Sequence, residues 1–276
     1  MKEKTIGFIG LGNMASAIIK GLRQSRDFRN LKIIGFDLDE DKRDLMSRDY
    51  DVAITENTLA VAKDSDILIL AVKPQSFDEL LPLLVPVLKE KQLVISIAAG
   101  KPLAYLCGYL GKDQPILRVT PNINAKAGAS MTAICQNEAV SPEQLEAGSA
   151  IFDAIGSVIV LEESKMPAFS AIASAGPAFA FTFIDALSTA GIRAGLPRAV
   201  AQQAASAMLF GSAKLVAESG EHPRALVDQV TSPGGTTIEG THTLSRLGFE
   251  HAVQEAVKAV IDKEKTLMGK AKDDKQ

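Results

Sequence analysis

Seven short apolar runs in the first 161 residues constrain the fold of this chain more than any other feature. Several are apolar on both faces, as strands covered by helices on two sides should be. Helical patterns separate them, which predicts a mostly parallel α/β sheet. The runs are TIGFIG (5–10), LKIIGF (31–36), DILILAV (66–72), QLVISIA (92–98), PILRVT (115–120), MTAIC (131–135) and SVIVL (157–161).

The character of the sequence changes after Leu161. Strand-like runs stop, and Ala-rich stretches such as 168–190 and 199–219 take their place. A chain of 276 residues is long enough for two domains, each with its own core. We therefore predict a sheet domain over residues 1–163 and an all-helical domain over residues 164–276.

Composition argues against several classes of function. A net charge of -3 offers no basic surface for nucleic acid. Cys107 and Cys135 are isolated and the three histidines are not grouped, so we expect neither disulfides nor a metal site. We also expect no signal peptide and no segment of membrane-spanning length. These features predict a cytoplasmic protein without a nucleic-acid, membrane or metal partner.

The segment GLGNMA (10–15) gives a GxGxxA pattern between a strand and a helix, as in the dinucleotide-binding fingerprint. In that fingerprint Gly10 makes the tight turn, Gly12 admits the pyrophosphate and Ala15 packs the helix on the strand. A tight turn without a ligand would show the same pattern, but Asp37 ends the second strand, where the fingerprint expects an acid. A carboxylate there accepts hydrogen bonds from the ribose of NAD and repels the 2′-phosphate of NADP. Local chemistry thus favours NAD.

The ends of the later strands predict further cleft residues, because open α/β sheets bind ligands at the carboxyl ends of their strands. AVKP (71–74), AAG (98–100) and TPN (120–122) each close a strand. Asn122 is a candidate to present its amide near the nicotinamide. Lys73 is equally consistent with a surface lysine that lies over the sheet edge.

The run SPGGTT (232–237) predicts an anion site in the helical domain. We expect a helix to begin at Thr236, so that its first N–H groups are unpaired donors at the positive end of the helix dipole. A carboxylate fits these groups, and the hydroxyls of Ser232, Thr236 and Thr237 can donate to it. The alternative is that one of these hydroxyls only caps the helix.

These motifs together resemble pyrroline-5-carboxylate reductase. TSPGGTTI (231–238) followed by LSRLGF (244–249) is similar to the signature of that family, and the resemblance extends over nearly the whole chain. It continues through GFIGLGNMASAI, AVKP, AAG, RVTPN, ASAGPAF (173–179) and AGLPRAVA (194–201). The resemblance implies a Rossmann-type N-terminal domain and a helical C-terminal domain that binds substrate and dimerises, with larger assemblies built from dimers.

The resemblance also implies a role for each motif. Thr237 is then the catalytic candidate, through a hydrogen bond near the ring nitrogen of the substrate. The implied substrate contacts are Ser232, Gly234, Gly235, Thr236 and Thr237. The implied cofactor contacts are Gly10, Gly12, Asn13 and Met14 at the pyrophosphate, Asp37 at the ribose, Ala71, Val72, Lys73 and Pro74 near the adenosine or the centre, and Ala98, Ala99, Gly100 and Asn122 near the nicotinamide.

The implied reaction is hydride transfer from NADPH or NADH to the C=N carbon of Δ1-pyrroline-5-carboxylate, which gives L-proline in the last step of proline biosynthesis. An imine accepts hydride best as the iminium, so positioning and exclusion of water can replace a strong general acid. Asp37 stands where NADPH-using relatives carry a small polar residue, so the family favours NADPH where the local chemistry favours NADH.

Three alternatives stay open. Ile123 and Asn124 stand where Thr-Pro is frequent, and Ala175 stands where serine is common, which leaves room for a paralogous reductase of another cyclic imine. A non-catalytic NAD(P) sensor would leave the SPGGTT loop without a role. A β-hydroxyacid dehydrogenase would need a lysine after a Gly-rich helical segment, a pattern that Lys165 and Lys214 do not match.

Overall fold

The computed structural model describes residues 4–28 and 30–273, with side chains up to Thr266. Internal contacts divide the chain into two compact units, Met1–Ser174 with Ile261–Gln276, and Ala175–Val260. The domain boundary expected between residues 163 and 164 stays a prediction, because these units are defined by contacts within a single chain.

The first unit is built on one eight-stranded sheet in the order β3-β2-β1-β4-β5-β6-β7-β8. All neighbouring strands are parallel except β6 and β7, which confirms the predicted sheet, and all seven predicted runs form strands. The strands are β1 Ile6–Ile9, β2 Ile33–Phe36, β3 Ala53–Ile54, β4 Ile67–Leu70, β5 Leu93–Ser96, β6 Ile116–Thr120, β7 Ser130–Gln136 and β8 Gly156–Val160.

Helices cover both faces of this sheet, and the apolar strands supply a core on each side. In β4, Ile67 and Ile69 belong to one buried cluster and Leu68 and Leu70 to the other, because successive side chains of a strand point to opposite faces. The helices of the unit are α1 Asn13–Gln24, α2 Glu40–Tyr50, α3 Thr58–Asp64, α4 Phe77–Leu84, α5 Leu103–Leu110, α6 Pro142–Asp153 and α7 Met166–Phe169, and a π-helical turn, Ser170–Ser174, follows the last of them.

An ion pair between the buried Arg118 and the partly exposed Glu163 ties three separate segments of this unit together. The Arg118 guanidinium of β6 lies 2.7 Å from Glu163 Oε1, and that oxygen also accepts a hydrogen bond of 2.7 Å from the N–H of Leu103 at the start of α5. Because Arg118 is only 4% exposed, loss of Glu163 would leave a buried charge without its partner, which destabilises the fold. Glu163 therefore stabilises the interior strand β6 and the beginning of α5 together.

The second unit is entirely helical in the described residues, which agrees with the sequence prediction. Few of its side chains are buried within the single chain, whereas Phe181, Phe210 and Leu247 are exposed. The helices are α8 Gly176–Arg193, α9 Arg198–Ser219, α10 Pro223–Val230, α11 Thr236–Arg246 and α12 Phe249–Asp273, the last of which continues into the first unit.

One helical stretch, Glu163–Arg193, is long and apolar enough to cross a membrane by length and composition, with a mean hydropathy of 1.4. The expectation that no segment reaches that length is wrong by this measure, because α7, the π-helical turn and α8 form one continuous run. A helix that packs in a soluble assembly passes the same test, so the stretch by itself does not indicate a membrane.

Candidate functional site

A cleft of ≈ 880 Å³ opens in the first unit at the carboxyl ends of β1, β2, β4 and β5. Its volume lies within the usual range for sites that bind organic ligands. The structure brings most of the predicted cofactor residues to this cleft, but Gly100 and Asn122 are not among the lining residues. The predicted residues that line it are Gly10, Gly12, Asn13, Met14, Asp37, Ala71, Val72, Lys73, Pro74, Ala98 and Ala99.

The two glycines of the first loop are required for different physical reasons. Gly10 has a φ of +93°, and a Cβ at this position would lie 2.8 Å from the backbone carbonyl of Ala71. Gly12 has a φ of -72°, which any residue can adopt, and no described atom lies within 4 Å of where its Cβ would be. Gly10 thus shapes the loop, while Gly12 leaves open space in the cleft.

The N-terminus of α1 lies at the same place. Gly12 is its N-cap, and within the described chain no side chain accepts a hydrogen bond from the first turn. The initial N–H groups of a helix are donors with a partial positive charge, which suits a phosphate. The open space at Gly12 and the uncapped helix start together fit the pyrophosphate of a dinucleotide.

Asp37 connects the end of β2 to the glycine loop. Its Oδ2 accepts a hydrogen bond of 2.7 Å from the N–H of Leu11, and its Oδ1 accepts one of 3.0 Å from the N–H of Asp39. Its side chain is 16% exposed. The carboxylate therefore holds the loop in place, a role that the sequence did not reveal.

Lys42 is a cleft residue that the sequence reasoning missed. Its Nζ lies 3.1 Å from Asp39 Oδ2 and 3.8 Å from Asp37 Oδ1. The hydrogen bond between the Lys42 and Asp39 side chains is the main cause that lowers the pKa of Asp39 and raises the pKa of Lys42. The spacing of 39 and 42 was a usable signal, because side chains three apart on a helix are neighbours.

Arg43, which follows Lys42, is directed into the protein. Its Nη1 donates to the carbonyl oxygens of Asp37 at 2.8 Å and Leu38 at 3.1 Å. Its guanidinium also lies 5.5 Å from the ring centroid of Phe36. Arg43 therefore supports the turn after β2 and is not among the cleft residues.

A polar cluster anchors the turn that follows β5 beside the cleft. Asp78 Oδ1 accepts hydrogen bonds from the hydroxyls of Tyr105 at 2.7 Å and Tyr109 at 2.8 Å, and Lys101 Nζ lies 3.6 Å from Asp78 Oδ2. The bonds from Tyr105 and Tyr109 lower the pKa of Asp78, while burial and the bond to Asp78 raise the pKa of Tyr105. The cluster fixes the residue after Gly100 to α4 and α5.

Asn122 is buried outside the cleft lining. Its Nδ2 donates to the carbonyl of Ala173 at 2.8 Å, and its Oδ1 accepts from the N–H of Asn124 at 3.0 Å. Both polar groups of the amide therefore have partners within the first unit, where they support the π-helical turn. Its neighbour Ile123 lines the cleft instead.

The SPGGTT loop lies in the second unit, directly before α11. Gly234 has a φ of +70°, and Gly235 is the N-cap of the helix, with its N–H donating to the Ser232 carbonyl at 3.0 Å. As far as the chain is described, no side chain caps α11, so the capping alternative is not what the structure contains. Ser232, Thr236 and Thr237 are exposed. The loop therefore has the free donors that an anion site needs.

Comparison with known families covers both parts of the chain. A family model described as pyrroline-5-carboxylate reductase dimerisation matches residues 163–267, and one described as NADP oxidoreductase, coenzyme F420-dependent, matches residues 5–100. The pyrroline-5-carboxylate reductase of Synechocystis is 41% identical over 255 residues, which cover 92% of this chain and 94% of the relative. The chain belongs to the pyrroline-5-carboxylate reductase family. This confirms the resemblance seen in its motifs.

Solved structures of the same family share the fold. The reductase from Streptococcus pyogenes is 35% identical, with a TM-score of 0.85 over 96% of this chain and 100% of that one. The pyrroline carboxylate reductase from Plasmodium falciparum with NADP bound is 28% identical, with a TM-score of 0.86 over 97% and 99%. Membership of this family confirms the predicted Rossmann-type N-terminal domain and helical C-terminal domain. It also confirms the predicted class of enzyme, an NAD(P)H-dependent oxidoreductase.

Proposed function

We propose that this protein is a pyrroline-5-carboxylate reductase that transfers a hydride from NADPH or NADH to the C=N carbon of Δ1-pyrroline-5-carboxylate and produces L-proline. The observation that carries the proposal is the family membership over nearly the whole length, at 41% identity to the Synechocystis reductase. The cleft in the first unit and the uncapped start of α11 in the second supply the two kinds of site that this reaction needs.

The cofactor is held by the cleft of the first unit. The start of α1 at Gly12, Asn13 and Met14 binds the pyrophosphate, and the turn at Ala98 and Ala99 lies towards the nicotinamide. When bound there, the reduced nicotinamide supplies the hydride. An open position at Gly12 and an uncapped helix start support this assignment.

The substrate is held by the loop before α11. The N–H groups at Thr236 and Thr237 and the hydroxyl of Ser232 receive the substrate carboxylate, and the Thr237 hydroxyl bonds near the ring nitrogen. An iminium needs no strong acid, so the contribution of these residues is to orient the ring and to replace water around it. The uncapped start of α11 and the exposure of these hydroxyls support the assignment.

The proposal includes a homodimer formed through the helices of the second unit, with residues 164–276 as the dimerisation domain. We also propose that larger assemblies are built from these dimers and that the protein is located in the cytoplasm. Phe181, Phe210 and Leu247 are 55%, 73% and 71% exposed in the single chain. Large apolar side chains left exposed on three elements of one small unit are suited to burial against a partner. The apolar stretch Glu163–Arg193 lies wholly within the match to the dimerisation model, which supports a second copy of the chain, rather than lipid, as its partner.

The test is oxidation of NADPH and of NADH, followed at the nicotinamide absorbance with and without pyrroline-5-carboxylate, with proline measured as the product. We expect imine-dependent oxidation and proline formed in equal amount. Turnover of another cyclic imine alone would identify a paralogue, and cofactor binding without any turnover would identify a sensor. Light scattering on the same sample is expected to give a dimer or a multiple of it, and a monomer would contradict the assembly.

A further inference from the structure

The cleft next to the end of β2 contains a compact cluster of charges. Asp37 and Lys42 line the cleft, and Asp39 stands beside them as the N-cap of α2. In dinucleotide-binding folds the end of the second strand meets the adenine ribose, which carries a 2′-phosphate in NADP and a hydroxyl in NAD. The charge of this cluster therefore acts on the 2′ position of the adenine ribose, where the two cofactors differ.

Asp37 is poorly placed to act as the switch between the cofactors, because its carboxylate is part of the loop. It accepts hydrogen bonds from Leu11 of the glycine loop and from Asp39. Substitution of Asp37 would loosen the glycine loop and weaken both cofactors. Each of its oxygens keeps a lone pair, so Asp37 can still accept a bond from a ribose hydroxyl.

Lys42 brings a positive charge to this end of the cleft, and Asp39 holds that charge. The Lys42 ammonium lies 3.1 Å from Asp39 Oδ2 and is 44% exposed. With Asp37 at 3.8 Å, two carboxylates surround one ammonium. The cluster therefore has a net negative charge, which repels a phosphate dianion and accepts a neutral ribose hydroxyl.

We propose that Asp39 and Lys42 set the cofactor preference: Asp39 binds the Lys42 ammonium and withholds it from a 2′-phosphate, so that the natural sequence prefers NADH. The inference rests on the proposed function only in that the cleft binds a nicotinamide dinucleotide. The affinity of the protein for NADPH then depends on Lys42, and Asp39 lowers that affinity.

Asp39→Asn isolates this effect. The asparagine oxygen can still accept the hydrogen bond from the Lys42 N–H, which Asp39 accepts at 3.4 Å, so the helix cap is kept. The Lys42 ammonium then faces one carboxylate, Asp37 at 3.8 Å, and can bond to the 2′-phosphate; a charge-assisted hydrogen bond of this kind is stronger than a neutral one. We expect NADPH to bind about tenfold more tightly, which corresponds to about 1.4 kcal/mol, with a change of less than about twofold for NADH.

The experiment measures dissociation constants by calorimetry for NADPH, NADH, adenosine 2′,5′-bisphosphate and AMP. The proteins are wild type, Asp39→Asn, Lys42→Gln, the double variant, and Asp41→Asn as a matched control that removes a neighbouring carboxylate in the same helical turn. Thermal unfolding of each variant verifies that it is folded. We expect the gain for NADPH and for the bisphosphate in Asp39→Asn alone, and a loss of NADPH affinity in Lys42→Gln without a matching loss of NADH affinity.

Several results would overturn the inference. These are a wild-type protein that binds NADPH more tightly than NADH, a gain that persists in the double variant, or the same gain in Asp41→Asn. Each of these leaves the reductase proposal intact. If the wild-type protein binds none of the four nucleotides, the assignment of the cleft as a cofactor site is wrong. The reductase proposal and this inference are then both contradicted.

Discussion

Alanine at each of the two loop glycines should separate stability from cofactor binding. Gly10→Ala places a side chain at a φ of +93° and within 2.8 Å of the Ala71 backbone, which cannot move aside as a side chain would. Left-handed strain costs about 1–2 kcal/mol and overpacking about 1–3 kcal/mol. We therefore expect a loss of about 2–5 kcal/mol in the free energy of unfolding and a fall of about 5–15 °C in Tm.

Gly12→Ala should have the opposite pattern. Its φ of -72° suits alanine and its Cβ meets no described atom within 4 Å, so the loss of stability should stay below about 1 kcal/mol, the cost of a poorer N-cap. The new methyl group would fill the space that we assign to the pyrophosphate. We expect NADPH and NADH each to bind at least about tenfold more weakly.

The assay combines thermal unfolding with fluorescence titration of the reduced cofactor, and Gly111→Ala is the matched control. Gly111 has a φ of +92° and a ψ of 154°, a conformation adopted almost only by glycine, and no described neighbour lies within 4 Å of its Cβ position, so it tests backbone strain without a clash. Gly111→Ala should lose about 1–3 kcal/mol. Normal cofactor binding by Gly12→Ala, or equal destabilisation of Gly10→Ala and Gly111→Ala, would refute the reasoning.

Three further predictions follow from particular side chains. Thr237→Ala should lower kcat/KM for the imine by about 10- to 1,000-fold, the range for a lost hydrogen bond in a site, whereas the control Thr241→Ala should not. Burial raises the pKa of the Cys135 thiol to about 12, which makes it unreactive in the folded protein. Iodoacetamide at about pH 8 should therefore label the half-buried Cys107 and modify Cys135 only after unfolding, which mass spectrometry of the labelled protein measures. Burial also raises the pKa of Glu264, so its ionisation opposes folding once the pH exceeds the ordinary glutamate value of about 4.3. In urea unfolding, Glu264→Gln should therefore be more stable than the wild type at neutral pH and equally stable at about pH 4. A stability difference that grows as the pH falls would contradict this.

The parts of the site that could be predicted from the sequence are those set by the backbone. The loop needs glycine at position 10 for its conformation and at position 12 for open space, and a GxGxxA pattern after a strand predicts both needs. The helix Pro223–Val230 and the start of the next helix at Thr236 were also predictable, because proline marks the beginning of the first helix and glycines precede the second. Local rules of this kind act over a few residues.

The parts that could not be predicted depend on contacts between distant residues. The pairing of Arg118 with Glu163 joins positions 45 apart, and no local pattern indicates it. The hydrogen bond that the Asn122 amide donates to the carbonyl of Ala173, 51 positions away, has no local signal either, and the place of Asn122 near the nicotinamide stays a prediction. The two-residue strand β3 has no apolar run of its own and is defined by its pairing with β2.

The position of β1 within the sheet has a consequence for synthesis of the protein. β1 pairs with β2 on one side and with β4 on the other, and β4 leaves the ribosome after both β2 and β3. One edge of β1 must therefore stay open until α2, β3 and α3 have been made and β4 has emerged. An open, apolar strand edge is prone to aggregate, and non-local parallel pairing forms slowly. This edge of β1 is thus exposed to such aggregation in the nascent chain until β4 pairs with it.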